Sequence, residues 1–326
     1  MRSLHNSLGR SLDSRGRRAD KPTDIPAMGW TDIAWRLYHD IQNDRVLLVA
    51  AGVTFYAILA LFPATAAIVS LYGLFADATT INGHLNLISG FLPEGALEVI
   101  SDQVKRIASQ GQGTLGAAFL GTLAFSLWGA NSGTKAIFDA LNIIYKEQEK
   151  RSFLQLTIRS LIFTIGAVTL VVLALAGIIA VPVILKLLGV PDWSGAALLS
   201  MVRWPLLYLM ILFALACLYR YGPSRRHPQW KWVTLGSAIA GGFWVIGSLL
   251  LSWYVGNFGN YNATYGSLGA VIGFMVWMWF STIIVLVGGE INAEIEHQTA
   301  KDTTEGRKPM GARGAKMADE LGEART

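Results

Sequence analysis

From Trp232 to Gly289 the chain carries no Lys, Arg, Asp or Glu. Few folds accept an uncharged run of that length. A helix crosses a ~30 Å hydrocarbon core with about 20 apolar residues. The run therefore fits two spans, about 233–256 and 265–289, joined by the turn NFGNYNAT. In lipid every backbone N–H and C=O must find a partner within the protein, which a helix provides within itself. Composition agrees. The 326 residues are 52% hydrophobic and 15% charged, where a soluble domain is about 25% charged. These values imply a membrane protein built as one bundle.

Four more charge-poor runs precede this one. Val46 to Ala76 gives a span over 46–76, with Pro63 expected to loosen a turn. Ile107 to Thr134 holds a span over 113–134. The third lies over 157–185, with Pro182 near its end, and Pro191, Asp192 and Trp193 make the turn after it. The fourth covers 199–219, with Arg203 and Pro205 at its start. Two stretches read as amphipathic helices on the membrane surface. In one, Trp30, Ile33, Ala34, Leu37, Tyr38 and Ile41 share a face; in the other, Leu97, Ile100, Val104 and Ile107 do. The fold class is thus all-α: a polytopic membrane protein with six transmembrane helices plus interfacial amphipathic helices. The organisation is a disordered basic tail over 1–27, a six-helix transmembrane domain over 28–297, and a disordered tail over 298–326.

Charge sets the orientation. Net charge is +5, and the basic residues sit in tails and short loops. Lys146, Lys150, Arg151 and Arg159 follow the second span, and Arg220, Arg225, Arg226 and Lys231 follow the fourth. Both tails are also basic. The opposite side has only Lys105, Arg106, Lys186 and Arg203. The positive-inside rule then puts both termini in the cytoplasm. The same placement argues for membrane lipids as partners and against nucleic acid.

Two sets of residues stand out. Glycine pairs four apart, Gly129 with Gly133 and Gly269 with Gly273, mark faces where another helix could approach closely. Asn131, Lys135, Asp139 and Asn142 share one face at the end of the second span, and Glu290, Asn292 and Glu294 lie at matching depth on the sixth. Together they could line an inward-facing polar vestibule, with Glu290 binding a cation or pairing with Lys135. The competing reading is that the charged groups end in cytoplasmic water, where acids are cheap.

Catalytic chemistry has no visible carrier. His5, His39, His84, His227 and His297 show no metal-ligand spacing, and no phosphate-loop pattern occurs. The single cysteine, Cys217, cannot form an internal disulfide. No catalytic, cofactor-binding or metal residue is assigned, no cofactor is expected, and the chain reads as a non-enzyme.

The segments AAGVTFYAILALFPATAAIVSLYGLF, ALNIIYKEQEKRSF and NYNATYGSLGAVIGFMVWMWFSTIIVLVGGEINAE resemble the YihY/BrkB family of bacterial inner-membrane proteins. The resemblance runs from about Trp30 to Glu296. It implies six transmembrane helices, cytoplasmic termini and an inner-membrane location. Members have carried a ribonuclease BN label and virulence or serum-resistance labels, and the resemblance transfers no catalytic residues. The missing nuclease site argues against the ribonuclease label. A transporter or lipid- and envelope-handling protein is the expected function, with a non-transporting envelope scaffold as the alternative. A homo-oligomer is compatible with either, and no pattern names a substrate.

Overall fold

A computed structural model describes residues 15–73, 117–187, 192–225, 228–258, 268–300 and 321–323. Among the described residues the regular structure is all helical. A 3-10 turn, Pro22–Asp24, leads into seven helices: α1 Ala27–Asn43, α2 Val46–Gly73, α3 Ala117–Ile144, α4 Phe153–Leu187, α5 Asp192–Tyr221, α6 Trp230–Phe258 and α7 Leu268–His297. The second expected amphipathic helix, around Leu97 to Ile107, lies outside the described residues.

Helices α2 to α7 are 28 to 35 residues long. Each packs against its successor, and α7 packs back on α2, so the six close a ring. Helix α1 lies against α7. By length and composition three stretches of the described residues could cross a membrane: Phe153–Ala174, Trp230–Tyr254 and Val271–His297. Val46–Leu59 and Pro205–Tyr221 are shorter apolar helices.

Burial is inverted relative to a soluble bundle. Leu154, Ile158, Ile162, Ile165 and Leu173 on α4 and Leu249, Leu250 and Trp253 on α6 are exposed. Contiguous exposed apolar surface of this kind suits a lipid surround. The core instead gathers where α2 begins, α3 and α5 end, α6 begins and α7 ends. Val46, Ala50, Leu141, Ile144, Tyr145, Tyr219, Val233, Leu286 and Ala293 form one buried cluster there.

Helix ends differ from the sequence-based expectation in a consistent way. Helix α3 continues from the expected end at 134 to Ile144, and α7 from 289 to His297. Polar residues beyond the expected water boundary continue these helices, and Lys135, Asn142, Asn292 and Glu294 find partners inside. Helix α5 already begins at Asp192, within the expected turn, and runs on through Pro205.

The tails also differ. Residues 15–27 were expected to be disordered, yet Arg17, Ala19, Pro22 and Ile25 are buried. Ala19 and Ile25 join Ile33, Trp232, Ile291 and Ile295 in a second apolar cluster. At the other end Gln298 and Thr299 are buried, and the Gly322 amide donates to the His297 carbonyl at 2.9 Å. The physical reason is that buried arginine donors find backbone acceptors there. Arg17 donates to the carbonyls of Gln298 at 3.2 Å and Gly322 at 2.6 Å.

Candidate functional site

The last turns of α7 carry Glu290, Asn292, Glu294 and Glu296, all buried. A four-residue step returns to one side of a helix, so these residues form two columns. Glu290 and Glu294 with Gln298 make the first, and Asn292 with Glu296 the second.

The first column meets α1. Arg36, buried on α1, bonds the Glu294 carboxylate through its Nε. Its Nη2 donates to the Gln298 Oε1 at 2.8 Å and its Nη1 to the Glu323 carbonyl at 2.7 Å. Asp32, one turn earlier, accepts from the Arg15 Nη1 at both carboxylate oxygens, at 2.7 and 2.8 Å. The sequence places α1 as an amphipathic helix on the membrane surface. Instead it buries Ile33 and Arg36 together, because α7 and the carboxyl tail supply acceptors for the guanidinium.

Asp40 and Asp44 repeat the four-residue step at the end of α1. Lys146 places its ammonium 3.4 Å from Asp40. It does so from a left-handed backbone, with φ at 52°. That conformation is uncommon for a residue with a Cβ and is held only where surroundings over-determine it. Burial, with the nearby Glu294 charge, raises the Asp40 carboxyl above its ordinary range. Burial likewise raises Asp44. For Lys146 burial alone would lower the ammonium, but Asp40, Asp44 and Glu294 outweigh it and the net direction is up. The Asp44 carboxyl faces Glu290. Glu290 is fully buried, and among the described residues neither of its oxygens meets a hydrogen-bond donor.

The second column turns toward α6 and the loop before it. Asn292 accepts from the Gly236 amide at 2.9 Å and donates to the Val233 carbonyl at 3.3 Å. Glu296 receives the Arg225 Nη1 at 2.6 Å, and the Arg225 guanidinium also lies 4.0 Å from the Tyr145 ring centre. Two buried ion pairs thus tie α7 to α1 and to the α5–α6 loop.

The other expected vestibule residues are placed elsewhere. Lys135 points to α4: it donates to Thr157 Oγ1 at 3.0 Å and lies 5.0 Å from the Phe153 ring centre. It does not meet Glu290. Asp139 is exposed. Asn131 is buried, with its Oδ1 meeting no donor among the described residues. Asn142 is a brace between loops, accepting from the Ser224 amide at 2.7 Å and donating to Glu149 at 3.0 Å. Partial burial of Glu149 is outweighed by hydrogen bonds from Arg151 and Asn142, which bring its carboxyl down to about 2.

The glycines divide similarly. A Cβ on Gly133 would reach ordinary contact with the Ala57 backbone at 3.7 Å, so α3 meets α2 there. On Gly273 it would meet no described atom within 4 Å. The surroundings of Gly269 lie outside the described residues. Close approach in α6 and α7 is made instead at Gly236 against Gly288 and Asn292, and at Gly247 against Phe280.

Sequence reasoning missed Arg36, Asp40, Asp44, Lys146 and Arg225. The one available signal was the matching four-residue spacing of Asp40 with Asp44 and of Glu290 with Glu294.

Comparison with known proteins follows the helical pattern. The profile of the family described as virulence factor BrkB matches residues 37–312. A Bacillus subtilis protein, YfkH, described as ribonuclease-like, is 31% identical over 251 residues, covering 75% of this chain and 88% of its own. A UPF0761 membrane protein of Vibrio cholerae is 28% identical over 262 residues, covering 78% and 84%. One of Albidiferax ferrireducens is 25% identical over 297 residues, covering 87% and 67%. No solved structure matches significantly. With its apolar helical ring and a match over most of its length, this chain is a membrane protein of the BrkB family.

Proposed function

We propose that this protein is a six-span inner-membrane transporter of the lipid- or envelope-handling kind, with both termini in the cytoplasm and no catalytic activity of its own. One observation carries the reading. A buried layer of charge surrounds the last turns of α7, with Arg36 on Glu294 and Arg225 on Glu296. Charge inside a membrane bundle is expensive and characteristically marks a path or a gate. Ion pairs between separate elements have a second arrangement available, in which α1 and the α5–α6 loop part from α7 and each charge meets water. That makes the layer suited to an inner gate. The exposed apolar outer faces of α4 and α6 fit a lipid surround.

The scaffold reading rests on the same pairs taken as permanent staples. Reconstitution separates the two. Purified full-length protein in liposomes is assayed for movement of fluorescent lipid between leaflets and for ion flux. Transport above protein-free liposomes supports the proposal. Monodisperse, folded protein that moves neither overturns it and favours the scaffold.

Topology has its own expected outcome. A reporter active only outside the cytoplasm should be silent when fused after Lys150 or Arg226 and active after Gln110 or Gly259. Activity at Arg226 would defeat the six-span arrangement.

A further inference from the structure

We propose that Asp44 and Glu290 form a proton-binding carboxyl pair, and that the proton is the ion to which transport is coupled. The pair itself stands on local geometry; the coupling role rests on the transport reading above.

Glu290 is fully buried, and both of its oxygens lack a donor among the described residues. The facing Asp44 is half-buried, and its Oδ2 is buried and also without a donor. Ionised carboxylates only accept hydrogen bonds, so two facing each other cannot satisfy one another. A single proton makes one of them a donor and resolves both. Carboxyls sharing a site do not both ionise readily.

Among the described residues the neighbouring charged groups are committed to other partners. From α1, Arg36 is spent on Glu294, and Asp40 is paired with Lys146 at 3.4 Å. From α7, Glu294 also has His297 at 3.4 Å. From α5, the Tyr219 hydroxyl donates to the Val285 carbonyl at 2.7 Å. Arg225 before α6 is committed to Glu296, and Lys231 at its start to the Asp20 carbonyl. Tyr145, following α3, lies under Arg225. Among the described residues the four acids Asp40, Asp44, Glu290 and Glu294 thus share Arg36 and Lys146, and the Asp44–Glu290 pair holds neither as a direct partner. Among the described residues no three acid, His or Cys side chains converge as metal ligands would, so the pair suits a proton better than a divalent ion. The proton comes from a hydronium ion reaching the half-exposed Asp44. One O–H bond forms on the pair and one water is released; deprotonation reverses the step.

Infrared difference spectroscopy of the full-length protein in lipid nanodiscs reads the site directly. On raising the pH a protonated-carboxyl C=O band should disappear, and its frequency should shift in D2O. The band should be lost in Glu290→Gln. In Asp44→Asn, on the half-exposed partner, it should persist with its midpoint moved to lower pH, because the amide supplies a donor and removes a charge. No titrating band in the wild type, or an unchanged band in both variants, overturns the site. A midpoint that moves with Na+ concentration reassigns the pair to sodium and overturns the proton. Liposome flux distinguishes the two levels of the proposal. A titrating band without any transport keeps the site and defeats the transport reading. Transport indifferent to a pH gradient, with the band present, defeats the coupling role alone.

Discussion

Arg36→Met should lower the stability of the purified protein by about 3–5 kcal/mol, the usual cost of removing one partner from a buried ion pair. The loss arises on the acid side. Glu294 is fully buried against α1, and its cation is gone. Gln298 Oε1 and the Glu323 carbonyl lose their donors in the same substitution. Arg36→Lys should fall between, since an ammonium restores charge but cannot span four acceptors as the guanidinium does. The double variant Arg36→Met with Glu294→Gln should recover much of the loss, because no buried charge is left alone. Thermal unfolding in detergent, followed by loss of monodisperse protein, measures all three. A melting temperature for Arg36→Met equal to wild type would mean that Glu294 is hydrated and the layer is open at rest.

Little of this layer was legible in the sequence. Arg36 sits among Asp32, His39 and Asp40 on a helix with an apolar stripe, a pattern that a surface helix shares. Its partner Glu294 lies 258 residues away. Nothing local distinguishes an arginine in water from one inserted against another helix. The helices themselves were legible because lipid demands long apolar segments. The third span was read as 157–185, and α4 covers Phe153–Leu187. Where the reading stopped short, at α3 and α7, it treated the first charged residue as the end of the helix. Glu294 instead lies inside because Arg36 on α1 comes to meet it, and Glu290 is carried inside one turn earlier on the same helix. The same limit misplaced Lys135. Sequence spacing put it on a face with Asp139 and Asn142, and Thr157 of the next helix captured it.

The glycines show that limit on packing, and they carry the second large effect. Four-residue spacing identifies a face but not its neighbour. At Gly236 even an alanine is expected to be costly. Its Cβ would fall within van der Waals overlap of the Gly288 carbonyl oxygen and the Asn292 side chain. A backbone oxygen cannot turn away as a flexible side chain can, so α6 and α7 must separate. Separation also breaks the Gly236 amide bond to Asn292 at 2.9 Å. Overpacking alone costs about 1–3 kcal/mol, and the lost hydrogen bond to a buried amide adds about 1 kcal/mol. Gly273→Ala gives the contrast. Its Cβ meets no described atom within 4 Å, and alanine is a better helix former by about 1 kcal/mol. Gly236→Ala should therefore melt well below wild type, and Gly273→Ala at or slightly above it. The reverse order would place the tight contact of α7 at its amino-terminal glycine pair and remove Gly236 from the α6–α7 interface.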